Sequence, residues 1–154
     1  MLMKFGTLSL QDAKRMLAAG EAKADEIGIP YNIAVVDAGG NLLAFARQDG
    51  ALIGSIDLAI QKAFTARIFD ISTEDLAELA QPGQPLYGIQ GSNDGKIVIF
   101  GGGLPIKRNS AVIGAVGTSA GTVEQDIEVA HAAIQAIEAP TSGDTAPDGG
   151  PQMP

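Results

Sequence analysis

The strongest constraint on the fold lies in residues 33–47, where two apolar runs flank a segment built to turn. Ile33-Ala34-Val35-Val36 is a short aliphatic run, Asp37-Ala38-Gly39-Gly40-Asn41 is dense in turn formers, and Leu42 to Arg47 returns. Glycine tolerates the left-handed backbone that tight hairpins use, while Asp and Asn side chains bond to nearby amides. The segment therefore predicts two antiparallel strands, and an antiparallel pair early in a short chain sets the direction of the sheet.

Helical periodicity surrounds this hairpin. Ser9 and Asp12 form a capping-box-like pair, after which Leu10, Ala13, Leu17, Ala24 and Ile27 share a face, and Gly28 with Pro30 ends the helix. Ser55 is expected to cap a second helix running to about Phe69. Its small stripe (Ala59, Ala63, Ala66) and bulky stripe (Ile56, Ile60, Phe64) imply one face on the sheet and another on a further element or subunit. Ser72 and Asp75 predict a short third helix through Leu76 and Leu79, stopped at Gln81-Pro82-Gly83.

Pro85 to Ser92 reads as extended or looped, Asn93-Asp94-Gly95 as a turn, and Lys96 to Phe100 as a strand. Gly101-Gly102-Gly103-Leu104-Pro105 breaks that pattern. Ala111 to Thr118 reads as the last strand, and Thr122 with Gln125 opens a final helix striped by Val123, Ile127, Ala130, Ile134 and Ile137. The order αββααββα predicts an α+β fold, a mainly antiparallel sheet of about five strands flanked by helices. One domain is expected over residues 1–138. Residues 139–154, rich in Pro and Gly, have nothing to bury and are expected to be disordered.

The net charge of −8 argues against nucleic acid or an anionic membrane as partner, since both require clustered Lys and Arg. Without cysteine the chain has no disulfide, thiolate nucleophile or cysteine-ligated metal. The first residues lack the apolar core of a secretory signal, and no run of about 18 apolar residues could span a bilayer. The expectation is a cytoplasmic protein.

Two glycine-rich segments stand out as a place for a ligand. Gly101, Gly102, Gly103 and Pro105 lie between strands, while Thr118, Ser119 and Gly121 lead into the last helix. Small residues leave amides bare, and a helix start favours negative charge. The expectation is a shared hollow for an anionic ligand, with Arg47 and Lys62 clamping its carboxylates unless they form ion pairs with Asp49 or Asp37. No Gly-Lys-Ser/Thr phosphate loop is present. Asp37 and Asp49 are the candidate acid/base residues. Glu124 and Glu128 share a helical face that suits a hard cation, or simply the helix dipole. His131, the single histidine, is a candidate metal or haem ligand, or a partly exposed structural residue.

Taken in order, Ala34 to Leu42, Arg47-Gln48-Asp49-Gly50-Ala51, Ser55, Ala59, Lys62-Ala63, Thr65-Ala66, Gly101 to Ile106, Val112 to Gly117 and Glu124-Gln125-Asp126 resemble the GlcG/HbpS family. This is the haem-binding or "haem-degrading" domain also found as the C-terminal part of PduO-type proteins. The resemblance covers residues 7–138. It implies helices on an antiparallel sheet, homo-oligomers such as tetramers or octamers, haem or tetrapyrrole binding, and a place near operons for glycolate or diol metabolism. Ser119-Ala120-Gly121 departs from the family's Ser-Gly-Gly, and Asn109-Ser110 replaces an Asp-Gly turn.

The leading expectation is thus an oligomeric protein binding haem, or another small anionic ligand, at the glycine-rich turns. The alternatives are an enzyme acting on a carboxylate or hydroxy acid, and a structural subunit without ligand.

Overall fold

A computed structural model describes residues 1–138 of the chain. Its principal elements are α1 (Leu10–Ile27), β1 (Asn32–Asp37), β2 (Leu42–Arg47), α2 (Gly54–Phe69), α3 (Thr73–Leu79), β3 (Gly103–Arg108), β4 (Ala111–Ser119) and α4 (Val123–Glu138). The tail expected to be disordered lies outside the described residues.

The strands form one antiparallel sheet in the order β2-β1-β4-β3. Among the described residues four strands are present where about five were expected. Lys96 to Phe100 is not a strand: Ile97 and Val98 are buried, but the Val98 amide donates to Thr65 Oγ1 at 3.1 Å rather than to a ladder. The strand begins instead inside the glycine run, at Gly103, and continues through Pro105. Pro is tolerated there because β3 is an edge strand with a ladder on one side only. Gly103 is required because a Cβ at that point would collide with the Lys62 carbonyl of α2.

Most helix boundaries follow their caps. Ser9 Oγ accepts from the Asp12 amide at 3.1 Å, Ser72 Oγ from Asp75 at 3.1 Å, and Thr122 and Gln125 bond reciprocally at 2.9 and 3.3 Å. Gly28 ends α1 in the left-handed region. Ser55 does not cap α2: the helix starts a residue earlier, after Ile53, and Ser55 is buried in its first turn. The β3–β4 turn needs no Asp-Gly, since Asn109 and Ser110 both take left-handed angles of 49° and 67°. Ala120 keeps an ordinary negative φ, so the glycine missing there is not demanded by the backbone.

The two faces of the sheet pack differently. Tyr31, Ile33, Val35, Ile106 and Val116 meet Met16 of α1 and Val129 of α4 in an aliphatic core. On the other face Ala34, Val36 and Ala115 meet Ala59, Ala63 and Ala66 of α2, so close that a side chain at Gly117 would strike the Ala59 carbonyl. The bulky stripe of α2 is partly covered by the β1–β2 hairpin: Ile60 packs on this cluster and Phe64 lies against Gly40. No helix among the described residues is long and apolar enough to cross a membrane.

Candidate functional site

The two glycine-rich segments do come together. Gly103 pairs with Gly117, and the Thr118 amide donates to the Gly102 carbonyl at 3.0 Å. The hollow expected between them is filled. Lys62, fully buried, extends from α2 and donates from Nζ to Asp126 Oδ2 at 2.6 Å and to the Thr118 carbonyl at 3.0 Å. Asp126 Oδ1 accepts from the Gly121 and Ala120 amides at 3.1 and 3.3 Å. The Phe100 ring covers Nζ with its centroid 4.8 Å away. A Cβ on Gly102 would lie 2.8 Å from Nζ and 2.7 Å from the Thr118 carbonyl, which accounts for the glycine. The amides at the start of α4 therefore cradle an anion, and that anion is the chain's own Asp126.

Burial pushes the Lys62 ammonium below its ordinary ionisation, while the hydrogen bond and charge of Asp126 oppose the shift. Tyr31 is fully buried, and its hydroxyl faces Gly121. Burial first, then the Asp126 charge, hold its phenol well above the usual range. Lys62 is thus not free to clamp a ligand, and its partner is Asp126 rather than Asp37 or Asp49. Sequence spacing did not single out Asp126; the available signal was an acidic residue three and four positions before Val129 and Ala130, on the inward stripe of α4.

The other candidates separate. Asp37 closes the hairpin, its Oδ1 accepting from the Gly39 and Asn41 amides at 2.9 and 3.0 Å. Arg47 pairs with Asn32 at the far end of β1, so Asp37 and Arg47 stand at opposite ends of the sheet. Arg47 and Asp49 instead border a groove of about 620 Å³ beside the end of α1, together with Glu21 and Asp25. Gln48 ties this corner down, accepting from the Tyr31 amide at 2.8 Å and donating to Asp25 at 3.1 Å. Pro105 is half-buried on the edge strand, and Ser119 is buried at the end of β4.

On the outer side of the α1–α4 pair lies a second groove, of about 740 Å³. Ala19 and Ala22 of α1 and Ile127 and Ala132 of α4 supply small and apolar walls, with Lys23, Glu26, Glu128, Gln135 and the exposed His131 around them. Among the described residues no three His, Asp or Glu side chains gather into a metal-holding set, so Glu124, Glu128 and His131 do not form one.

Haem requires an accessible donor beside an apolar wall. Met16 and Tyr31 are sealed in the core, and the exposed Met1, Met3 and Tyr87 line neither groove. His131 meets both conditions, and its groove falls in the size range that holds small molecules. The residues present fit the group.

A four-stranded antiparallel sheet with α2 on one face and α1 and α4 on the other, and with open grooves beside α1, defines a small α+β domain without a catalytic triad among its described residues. The chain belongs to the family of HbpS-like haem-degrading proteins, whose pattern it matches over residues 8–135. It is 48% identical over 131 residues to a 15.0 kDa Citrobacter freundii protein from the dhaT-dhaS intergenic region, covering 85% of this chain and 92% of that one. It is also 38% identical over 135 residues to the corrinoid adenosyltransferase PduO of Citrobacter freundii, covering 88% of this chain and only 40% of PduO. Among solved structures, a crystallised PduOC–haem complex superposes with a TM-score of 0.82 at 38% identity, covering 84% of this chain and 94% of that one.

Proposed function

We propose that this protein binds haem, or a closely related tetrapyrrole, in the groove between α1 and α4, with the His131 imidazole as the axial ligand. The observation that carries this is the exposed His131 standing in a groove whose walls include Ala19, Ala22, Ile127 and Ala132. Kinship with a structure solved as a haem complex supports the ligand class. Ala19, Ala22, Ile127 and Ala132 would exclude water from one side of the macrocycle, and Lys23, 3.3 Å from Glu26, would turn to a propionate. Once bound, haem supplies iron-centred redox and ligand-exchange chemistry. The glycine-rich turns support the site indirectly, by fixing the start of α4 through Asp126.

The assembly that goes with this function is a homo-oligomer, a tetramer or octamer. The apolar residues at the start of α2, with Leu52 62% and Ile53 76% exposed, support such an association. Haemin titration into purified protein tests the proposal. A saturable Soret shift in the wild type that is lost in His131→Ala, with native mass spectrometry reporting the assembly, is the expected result. A non-saturating response, or a shift indifferent to His131, overturns it.

A further inference from the structure

The two edges of the sheet are finished differently. At one edge, β3 carries Pro105 and then Lys107 and Arg108, and its register shifts between Ile106 and Lys107. Proline, charge and a bulge are the devices that keep a free edge from pairing with another chain. At the other edge, β2 reads Leu42-Leu43-Ala44-Phe45-Ala46-Arg47, with no proline and its single charge at the end. Its register breaks only beside the hairpin, at Leu43, and residues 44–47 pair regularly with β1.

The alternation of ladder bonds fixes which groups this edge leaves bare. The Gln48 amide donates to the Tyr31 carbonyl at 2.9 Å, so the positions of β2 bonded to β1 run through Gln48, Ala46 and Ala44. The amides and carbonyls of Phe45 and Arg47 therefore point away from β1, and no other backbone among the described residues bonds to them. Apolar surface borders the row. Phe45 and Ile60 are half-buried beside it, and Leu42 is exposed at the hairpin end. At the far end Asn32, the register partner of Arg47, donates to the Leu52 carbonyl at 3.0 Å, which brings the exposed Leu52 and Ile53 alongside.

We propose that β2 pairs antiparallel with β2 of a second copy of this chain, about a two-fold axis near Phe45, joining two four-stranded sheets into one continuous sheet. This rests on the homo-oligomer reading above and names the surface that joins the copies. The strand is self-complementary in that arrangement. The bare amides and carbonyls of each copy meet those of the other. The two Phe45 rings face one another on the α2 side, an aromatic cross-strand pair. Ala44 opposes Ala46 on the α1 side, where small side chains let the backbones approach. Each Arg47 is carried away from its counterpart and toward the other copy's hairpin turn, which holds Asp37. No residue lining the α1–α4 groove takes part.

Sedimentation velocity and amide hydrogen exchange on the haem-free protein test it. In the assembled wild type the outward Phe45 and Arg47 amides are protected alongside the inward Ala44 and Ala46. Phe45→Lys sets two ammonium groups opposite each other at the axis. It sediments as a smaller species, and its outward pair exchanges at least about 10-fold faster while the inward pair is unchanged. Arg47→Pro removes one outward amide, spares the bonds to β1 and also reduces the assembly, whereas His131→Ala leaves the assembly intact. An assembled wild type whose Phe45 and Arg47 amides exchange freely, or a Phe45→Lys protein that assembles like the wild type, overturns this proposal and leaves the homo-oligomer reading standing. A wild-type monomer overturns both. If Phe45→Lys does not fold, exchange of the outward pair in the wild type and the size of Arg47→Pro decide alone.

Discussion

The inner and outer sides of α4 carry charge to opposite ends. Inward, Asp126 is 3% exposed and fully committed: two amides, Lys62 and the surrounding glycines leave no room for anything else. Outward, Glu124, Glu128 and His131 are exposed, and the latter two line an open groove. Bare amides at a helix start show that an anion is needed, without showing whether it arrives from solution or from a residue four positions along the same helix. Here the chain supplies it, and ligand chemistry is left to the outer side.

The comparison breaks most visibly at Asp126. Removing one partner of a buried ion pair strands the other charge, so Asp126→Ala is expected to lose about 3–5 kcal/mol in urea unfolding. Lys62→Met should fall in the same class, and combining it with Asp126→Leu should recover part of the loss, because the stranded charge is then absent. If Asp126→Ala costs under about 1 kcal/mol, the inner side is not the tightly coupled network described.

Gly117→Ala drives a methyl into the Ala59 carbonyl and should cost about 1–3 kcal/mol or more, read by the same unfolding curve. A smaller loss would mean that α2 can lift from the sheet.

Titration sharpens the picture further. Folded Lys62 releases its proton at lower pH than the unfolded side chain, whose ordinary value is 10.5. Between those points the unfolded chain holds more protons, so this group makes stability rise with pH. Tyr31 acts in reverse: folded, it keeps its proton above the ordinary value of 10.0, and stability falls as pH climbs past that point. Thermal unfolding across alkaline pH should show the rise in the wild type and a flatter profile in Lys62→Met; an unchanged rise would contradict the assignment. The smallest effect on stability belongs to the outer side, where His131→Ala should stay within about 0.5 kcal/mol of wild type while losing the Soret shift.

Much of this architecture was legible in residue order. Ser9, Ser72 and Thr122 announce three helices because capping is a local interaction, and the 37–41 turn announces the hairpin for the same reason. The edge strand through Pro105 was hidden, since its glycines and proline look like breakers until β4 and α2 are placed around them. The Lys62–Asp126 pair joins residues 64 apart, a separation that no local pattern encodes. His131 was visible as a candidate, but the groove that gives it meaning depends on the packing of α1 against α4.

Ferric haemin broadens the amide resonances of whatever it approaches, so mapping that broadening on the uniformly labelled protein separates the outer groove from the glycine-rich turns as the haem site. Binding in the α1–α4 groove predicts loss of intensity centred on Ala19, Lys23, His131 and Ala132, with Gly102 and Gly121 left sharp. Broadening centred on Gly102 and Gly121 would place the ligand among the glycine-rich turns after all and contradict it.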